Sequence, residues 1–273
     1  MPCRLLCAIA VSVLLNRRRS YSADAKRMVR CFRPQPRVEN AGCIPVGGPF
    51  VLVTNHYRKP GYHAWWGVAA IAATLAERRP DSPETIWMLA NRWTYANPLK
   101  SRLVTPLTHW VFIRLARTYG FVSTPPMPRQ EKYTEEGAQS VRRILALYSA
   151  GSAQEWPAVG VAPEGRDSQD GSLVEPPSGA GRLLLRLAER GLDLLPVGMA
   201  EIDGILTLRF GAPFVLNPWP GADKKERDRR ASTQVMLAIG RLLPAHLWGV
   251  YRAELERERT SSACKLRSFD RVH

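Results

Sequence analysis

Short apolar runs alternate with longer stretches of helical periodicity through most of the chain. The runs are bounded by glycine, proline or charged residues, which is typical of buried strands in a parallel sheet. The predicted core strands cover residues 50–53, 85–89, 158–162 and 194–199. The predicted helices cover residues 64–75, 103–119, 135–150, 179–190 and 224–243.

Weaker patterns predict the remaining elements. Residues 38–44 and 120–123 are short strand candidates, and residues 205–210 alternate between apolar and polar side chains as an edge strand would. In the helix predicted over residues 103–119, apolar side chains recur every four positions, which predicts an amphipathic helix. These side chains are Leu103, Leu107, Val111 and Leu115.

The alternation of strands and helices predicts an α/β fold. The expected architecture is a single domain with a mixed, mostly parallel sheet flanked by helices on both faces. No stretch rich in Gly, Ser or Pro divides the chain, so we place one domain over residues 36–250. Residues 1–35 precede it as an apolar and basic segment, and residues 251–273 are expected to form a loose polar tail.

The charge balance points to an anionic partner. The 273 residues contain 39 Lys and Arg against 24 Asp and Glu, a net charge of +15. Such an excess suits a phospholipid surface, a nucleic acid or a phosphorylated substrate. The five cysteines are scattered without metal-ligand spacing, which favours a reduced intracellular protein and no metal site.

The first residues combine an apolar run with a basic cluster. Residues 5–15 are apolar but too short to span a bilayer, and Arg17, Arg18 and Arg19 follow them. This combination favours an uncleaved helix lying at an anionic membrane surface. The alternatives are the apolar region of a signal peptide or a buried helix.

One candidate site residue follows the strand predicted over residues 50–53. His56 comes directly after Thr54 and Asn55, and the breakers Pro60 and Gly61 precede the next helix. The carboxyl ends of strands are where α/β sheets bind ligands. His56 is therefore the candidate general base, although a single histidine in this position can also be purely structural.

A second polar turn follows the strand predicted over residues 158–162. Gly165 allows a tight turn, Arg166 carries a planar group suited to phosphate, and Glu164 could orient that arginine or accept from a hydroxyl. Taken alone, this pattern is more often an ordinary surface turn with an ion pair. Together with His56, it predicts a common crevice at the carboxyl ends of two core strands.

With both stretches in view, the sequence resembles the lysophospholipid acyltransferases, a glycerolphosphate acyltransferase-like family. The matching stretches are Val53-Thr54-Asn55-His56 and Ala162-Pro163-Glu164-Gly165, with supporting similarity at residues 44–49 and 195–197. The resemblance covers residues 36–216. It implies acyl transfer from an acyl thioester, either acyl-CoA or acyl-carrier protein, to a hydroxyl of a lysophospholipid or glycerophosphate-like acceptor. It further implies a role in phospholipid biosynthesis at the cytoplasmic face of a membrane, with no cofactor and no nucleic acid.

The resemblance also implies residue roles. His56 would take a proton from the acceptor hydroxyl as that oxygen attacks the thioester. The Glu164-Gly165-Arg166 turn would hold the phosphate or polar head of the acceptor. Arg58 and Lys59 could do likewise or contact the phosphates of the thioester carrier.

The sequence departs from the family pattern at two points. The family's Asp, five residues after the His, falls on Gly61, and Arg166 is displaced by one position. Another acid, a backbone carbonyl or a water must then orient His56, and Asp167 is a candidate. Gly61 also motivates the alternative of a catalytically impaired homologue that binds lipid or a protein partner. Nucleic-acid binding is a third and weaker hypothesis, because no known motif supports it.

Overall fold

The computed structural model describes residues 3–59, 62–95, 97–126, 131–149, 156–168 and 170–269. Its strands are β1 (Arg37–Glu39), β2 (Phe50–Thr54), β3 (Ile86–Ala90), β4 (Val122–Thr124), β5 (Val159–Val161), β6 (Asp193–Ile202) and β7 (Ile205–Phe210). Its helices are α1 (Cys3–Leu14), α2 (Tyr21–Val29), α3 (Ala64–Arg78), α4 (Pro98–Tyr119), α5 (Thr134–Ala146), α6 (Ala180–Ala188), α7 (Lys224–Gly240) and α8 (Arg252–Phe269).

The strands form one mixed, mostly parallel sheet, as predicted. Their order is β1-β7-β6-β2-β5-β3-β4, and the only antiparallel pairing within the described strands joins β6 to β7. β7 was expected at the edge of the sheet, but β1 pairs with it in parallel and takes that place. The predicted strand over residues 38–44 is correspondingly shorter, since the chain leaves β1 after Glu39.

The core lies around the central strands. All five residues of β2 are buried, and Phe50, Leu52, Leu194 and Leu195 are among the largest fully buried side chains. A strand whose two faces are both buried must be covered by helices on both sides of the sheet. The predicted α/β class with helices on both faces is therefore confirmed.

The amino-terminal segment consists of two helices instead of one. α1 matches the apolar run, and α2, which the sequence pattern did not predict, packs against α3. Asp24 of α2 is buried and accepts hydrogen bonds from Arg19 at 2.6 and 2.7 Å and from Tyr119 at 2.9 Å. Residues 3–35 therefore pack against the main domain. Among the described residues, no helix is both long and apolar enough to cross a membrane.

The prediction of a loose tail after residue 251 is wrong for most of that segment. Residues Arg252–Phe269 form α8, whose Leu255 is buried. The guanidinium of Arg241 donates two hydrogen bonds of 2.8 Å to the carboxylate of Glu258. Leu255, this ion pair and Arg259, which lies 5.6 Å from the centre of the Trp248 ring, attach a helix that the composition predicted to be polar and loose.

α4 is confirmed as a helix, but only part of its predicted apolar face packs against the core. Leu115 is partly buried against the core, whereas Leu103 and Leu107 are exposed by 64% and 60%. The reason is length, because 22 helical residues span about 33 Å and the five residues of β3 only about 17 Å. The amino-terminal part of α4 therefore extends beyond the sheet.

Candidate functional site

The sheet register places the two predicted polar turns side by side. β2 and β5 are parallel neighbours in which Val53 lies opposite Val161. His56 and Glu164 each lie three residues beyond that pair. Both turns therefore leave the carboxyl edge of the sheet side by side, as a common crevice would require.

Glu164, in the second turn, is hydrogen-bonded to the first turn through its side chain. Its side chain is buried, and its carboxylate accepts hydrogen bonds from the backbone N–H groups of His56 at 2.6 Å and Val174 at 2.8 Å. Burial raises the pKa of the Glu164 carboxyl, although these two bonds and the nearby cations oppose the rise. Glu164 was expected to bind substrate. In the structure, each of its carboxylate oxygens already accepts a backbone hydrogen bond, so Glu164 supports the turn that carries His56.

Asp167 supplies the carboxylate that contacts the His56 ring. Its Oδ1 atom lies against Nδ1 of His56, and its Oδ2 atom accepts from Nη1 of Arg58 at 2.8 Å. Burial alone would raise the pKa of the Asp167 carboxyl, but hydrogen bonds from His56 and Arg58 outweigh burial and lower it. Asp167 thus stays ionised beside the imidazole, in the position that an orienting acid requires.

The remaining edge of the His56 ring is open. The side chain is 34% exposed, and its Nε2 atom has no hydrogen-bond partner within the described part of the chain. In the tautomer that carries its proton on Nδ1, facing Asp167, the Nε2 atom carries the lone pair. A hydroxyl that enters from solvent can therefore give its proton to Nε2.

Asn55 fixes the turn that carries His56. It is buried, donates through Nδ2 to the carbonyl of Met199 at 2.9 Å, and accepts from the N–H of Met199 at 2.8 Å. These two bonds extend the pairing of β2 with β6 by side-chain contact. Sequence reasoning did not assign Asn55 a role; its place directly before the candidate base was the available signal.

The two turns carry three cations, Arg58, Lys59 and Arg166. Arg58 is paired with Asp167, and Nζ of Lys59 lies 2.6 Å from Glu201. Arg166 is exposed and makes no hydrogen bond or ion pair with any described residue. Gly165 has a positive φ of 62°, and this backbone conformation turns the chain from the buried Glu164 to the exposed Arg166.

Parts of the predicted site fall outside the described residues. Pro60 and Gly61 are among them, so the structure says nothing of the position that holds the family's Asp. In the part of the chain that is described, no three His, Cys, Asp or Glu side chains come together as metal ligands. A cavity of about 490 Å³ at the start of α6 and α7 is lined by none of the predicted site residues.

Comparison with known proteins agrees with the resemblance in the sequence. The family model described as Acyltransferase matches residues 35–200. A search of curated proteins found no significant match. One similar solved structure is the 1-acyl-sn-glycerophosphate (LPA) acyltransferase PlsC from Thermotoga maritima, with 15% identity and a TM-score of 0.49. The match covers 89% of this chain and 83% of that one.

Proposed function

Since the chain belongs to the acyltransferase family, we propose that it transfers an acyl group from an acyl thioester to a hydroxyl of a lysophospholipid or glycerophosphate-like acceptor. The observation that carries this proposal is the contact between His56 and Asp167, made by turns from two neighbouring strands. It gives His56 an orienting acid although the family's own position holds Gly61. The acid comes from the second turn instead of the first.

The proposed reaction uses the open nitrogen of His56. As the acceptor oxygen attacks the thioester carbonyl carbon, Nε2 takes the hydroxyl proton and Asp167 stabilises the imidazolium. The new C–O bond forms, the C–S bond breaks, and the leaving thiolate takes the proton from His56. The products are an ester and a free thiol, and no metal or cofactor enters the step.

The cations at the turns suit the anionic groups of both substrates. Arg166 makes no hydrogen bond or ion pair with a described residue, so its planar guanidinium can bind the acceptor phosphate at two points. Arg58 and Lys59 already hold Asp167 and Glu201, which leaves them weaker, auxiliary contacts for the acceptor or for the phosphates of the thioester carrier. The donor is acyl-CoA or acyl-carrier protein.

The expected place of action is the cytoplasmic face of an anionic membrane. The acceptor resides there, and α1 exposes Leu6, Val11 and Leu14 ahead of the exposed Arg17 and Arg18. Apolar side chains next to cations favour the boundary between headgroups and acyl chains. A role in phospholipid biosynthesis follows from the proposed acceptor.

Release of free thiol from an acyl-CoA tests the reaction directly. With a lysophospholipid acceptor, the wild-type protein should release thiol and form the acylated lipid in equal amounts. His56→Ala should reduce the rate about 10²- to 10⁴-fold, the usual contribution of a general base. Val215→Glu, a change at an exposed side chain after β7, serves as the matched control with wild-type activity.

The same experiment addresses the alternative of an impaired homologue. If wild-type protein binds the lysolipid yet releases no thiol from any acyl-CoA or acyl-carrier protein, the transferase proposal is wrong and lipid binding remains. If thiol release is present but insensitive to His56→Ala, the assigned base is wrong.

A further inference from the structure

The amino-terminal part of α4 carries a line of exposed apolar side chains. Their exposed fractions are 67% for Leu99, 64% for Leu103, 60% for Leu107 and 42% for Trp110. At about 100° per residue, all four fall within an arc of about 80° on the helix. These four residues form a continuous surface, which we call the α4 ridge.

The ridge lies at the same end of the molecule as the candidate site. α4 follows β3, which is parallel to β5, and β5 is parallel to β2. The carboxyl ends of these three strands therefore share one edge of the sheet, from which His56 and Asp167 emerge. Because α4 starts at this edge and extends beyond the sheet, its exposed first turns lie at the end of the molecule that holds His56.

The helix that carries the ridge has charged residues of a single sign. No acidic residue occurs between Glu84 and Glu131, a segment that includes all of α4. α4 itself contains Lys100, Arg102, Arg114 and Arg117, of which the first two and the last are exposed. An apolar stripe on a helix whose charged residues are all basic complements an anionic lipid surface, which offers both a hydrocarbon interior and negative headgroups.

Arg114 connects the ridge to α1. Its guanidinium donates to the carbonyl of Leu14 at 2.5 Å and lies 4.6 Å from the centre of the Trp110 ring. Leu14 and the following Leu15 are 58% and 56% exposed. The exposed end of α1 therefore lies beside Arg114 and Trp110, and the chain then continues to the carboxyl end of α4, where the N–H of Arg19 donates to the carbonyl of Thr118 at 2.9 Å.

We propose that the α4 ridge inserts into the headgroup boundary of an anionic phospholipid bilayer and presents the His56 edge of the sheet to that surface. This inference rests on the proposed function and adds a second contact, outside residues 1–35, to the expected membrane surface. Its consequence is that an acceptor lipid reaches His56 from the bilayer without passing through water.

Vesicle flotation with Leu103→Glu/Leu107→Glu tests the ridge. Wild type and the control Val215→Glu, whose side chain is equally exposed at 64%, should float with vesicles of phosphatidylcholine and phosphatidylglycerol. The double variant should partition at least about 10²-fold more weakly, because two leucines lose their burial in the bilayer. Both leucines are exposed, so an unchanged circular dichroism spectrum and melting temperature should accompany the loss.

Two activity measurements separate this inference from the proposed function. With a short-chain acceptor dissolved as monomers, the double variant should release thiol at the wild-type rate; with the acceptor held in vesicles, it should lose at least about 10-fold. Wild-type protein that floats but releases no thiol would contradict the proposed function and leave the ridge in place.

Three results would contradict the proposed membrane contact. Flotation of the double variant equal to that of Val215→Glu would remove the membrane role. A loss of its activity on the dissolved acceptor would make the ridge a substrate-chain site. A wild-type dimer that sedimentation detects and the double variant abolishes would make the ridge an interface between two copies.

Discussion

Two aspartates in this chain have similar partners and opposite surroundings. Asp24 accepts from the guanidinium of Arg19 and from the hydroxyl of Tyr119, inside a packed cluster where its side chain is only 2% exposed. Asp167 contacts a guanidinium and an imidazole, and its side chain is 26% exposed. In both cases one carboxylate binds an arginine and a ring-bearing group.

The two clusters differ in whether the ring-bearing group has a second polar atom that faces solvent. The Tyr119 hydroxyl donates to Asp24, and burial together with the Asp24 carboxylate raises its pKa above the ordinary value, so this group stays neutral. His56 gives one nitrogen to Asp167 and leaves the other facing solvent. A closed cluster of this kind stabilises the fold, whereas an open one can exchange a proton with a ligand. Predictions that separate stability from activity test this comparison.

The largest effect on stability is expected from Asp24→Asn. Removing one partner of a buried ion pair leaves the Arg19 charge without its carboxylate, and such losses destabilise by about 3 kcal/mol. Chemical denaturation should show this decrease in the free energy of unfolding. Thiol release per folded molecule should remain at the wild-type level, and a loss of activity without a loss of stability would reverse the assignment of the two clusters.

Asp167→Asn should have the complementary effect. The amide can no longer hold the His56 ring as a charged acceptor, so kcat should fall about 10- to 100-fold with little change in KM, as for other groups that orient a catalytic ring. Asp167→Glu should recover part of the rate. Nitrogen chemical shifts of the His56 ring, measured by NMR, should change in the Asn variant; unchanged shifts would contradict a positioning role.

Arg166→Gln tests whether the turn that carries Asp167 also binds the phosphate of the acceptor. Losing the guanidinium should raise KM for a phosphate-bearing acceptor about 10-fold, since a charge-assisted contact contributes about 1.5–3 kcal/mol in a favourable site. An acceptor without a phosphate should show no such change. Arg182→Gln, a change on α6, provides a control that keeps the same loss of charge.

The smallest effect concerns the acid dependence of stability. Because the pKa of Asp167 is lowered from 3.8 in the folded state, its ionised form stabilises the fold above that pH, and this contribution is lost as the pH falls through the lower folded value. The difference in melting temperature between wild type and Asp167→Asn should therefore shrink as the pH falls below about 3.8. A difference that stays constant or grows would contradict the ion pair.

The sequence predicted the sheet and the edge that carries the candidate site. Apolar runs identify the buried strands, and the end of each strand gives the position of the turn that follows it. His56 and Glu164 were found in this way. The role of Glu164 was not, since a buried glutamate and an exposed one look alike until the register shows that its carboxylate meets the N–H of His56. α8 was missed because one buried leucine and one ion pair give almost no periodic signal.

Asp167 shows the limit most clearly. The sequence named Asp167 only as one candidate to orient His56, beside a backbone carbonyl or a water. The contact joins residues 111 positions apart and depends on β2 lying next to β5, which spacing along the chain does not reveal. The exposed stripe of α4 is a second example, because periodicity reports that a helix has an apolar face and leaves open what covers it.

The most direct test of the central claim is a double-mutant cycle on thiol release by wild type, His56→Ala, Asp167→Asn and the combined variant. If Asp167 acts only through the His56 ring, the combined variant should be no slower than His56→Ala alone. Fully multiplicative losses, or a wild-type rate in Asp167→Asn, would contradict an imidazole oriented by an acid from the neighbouring strand.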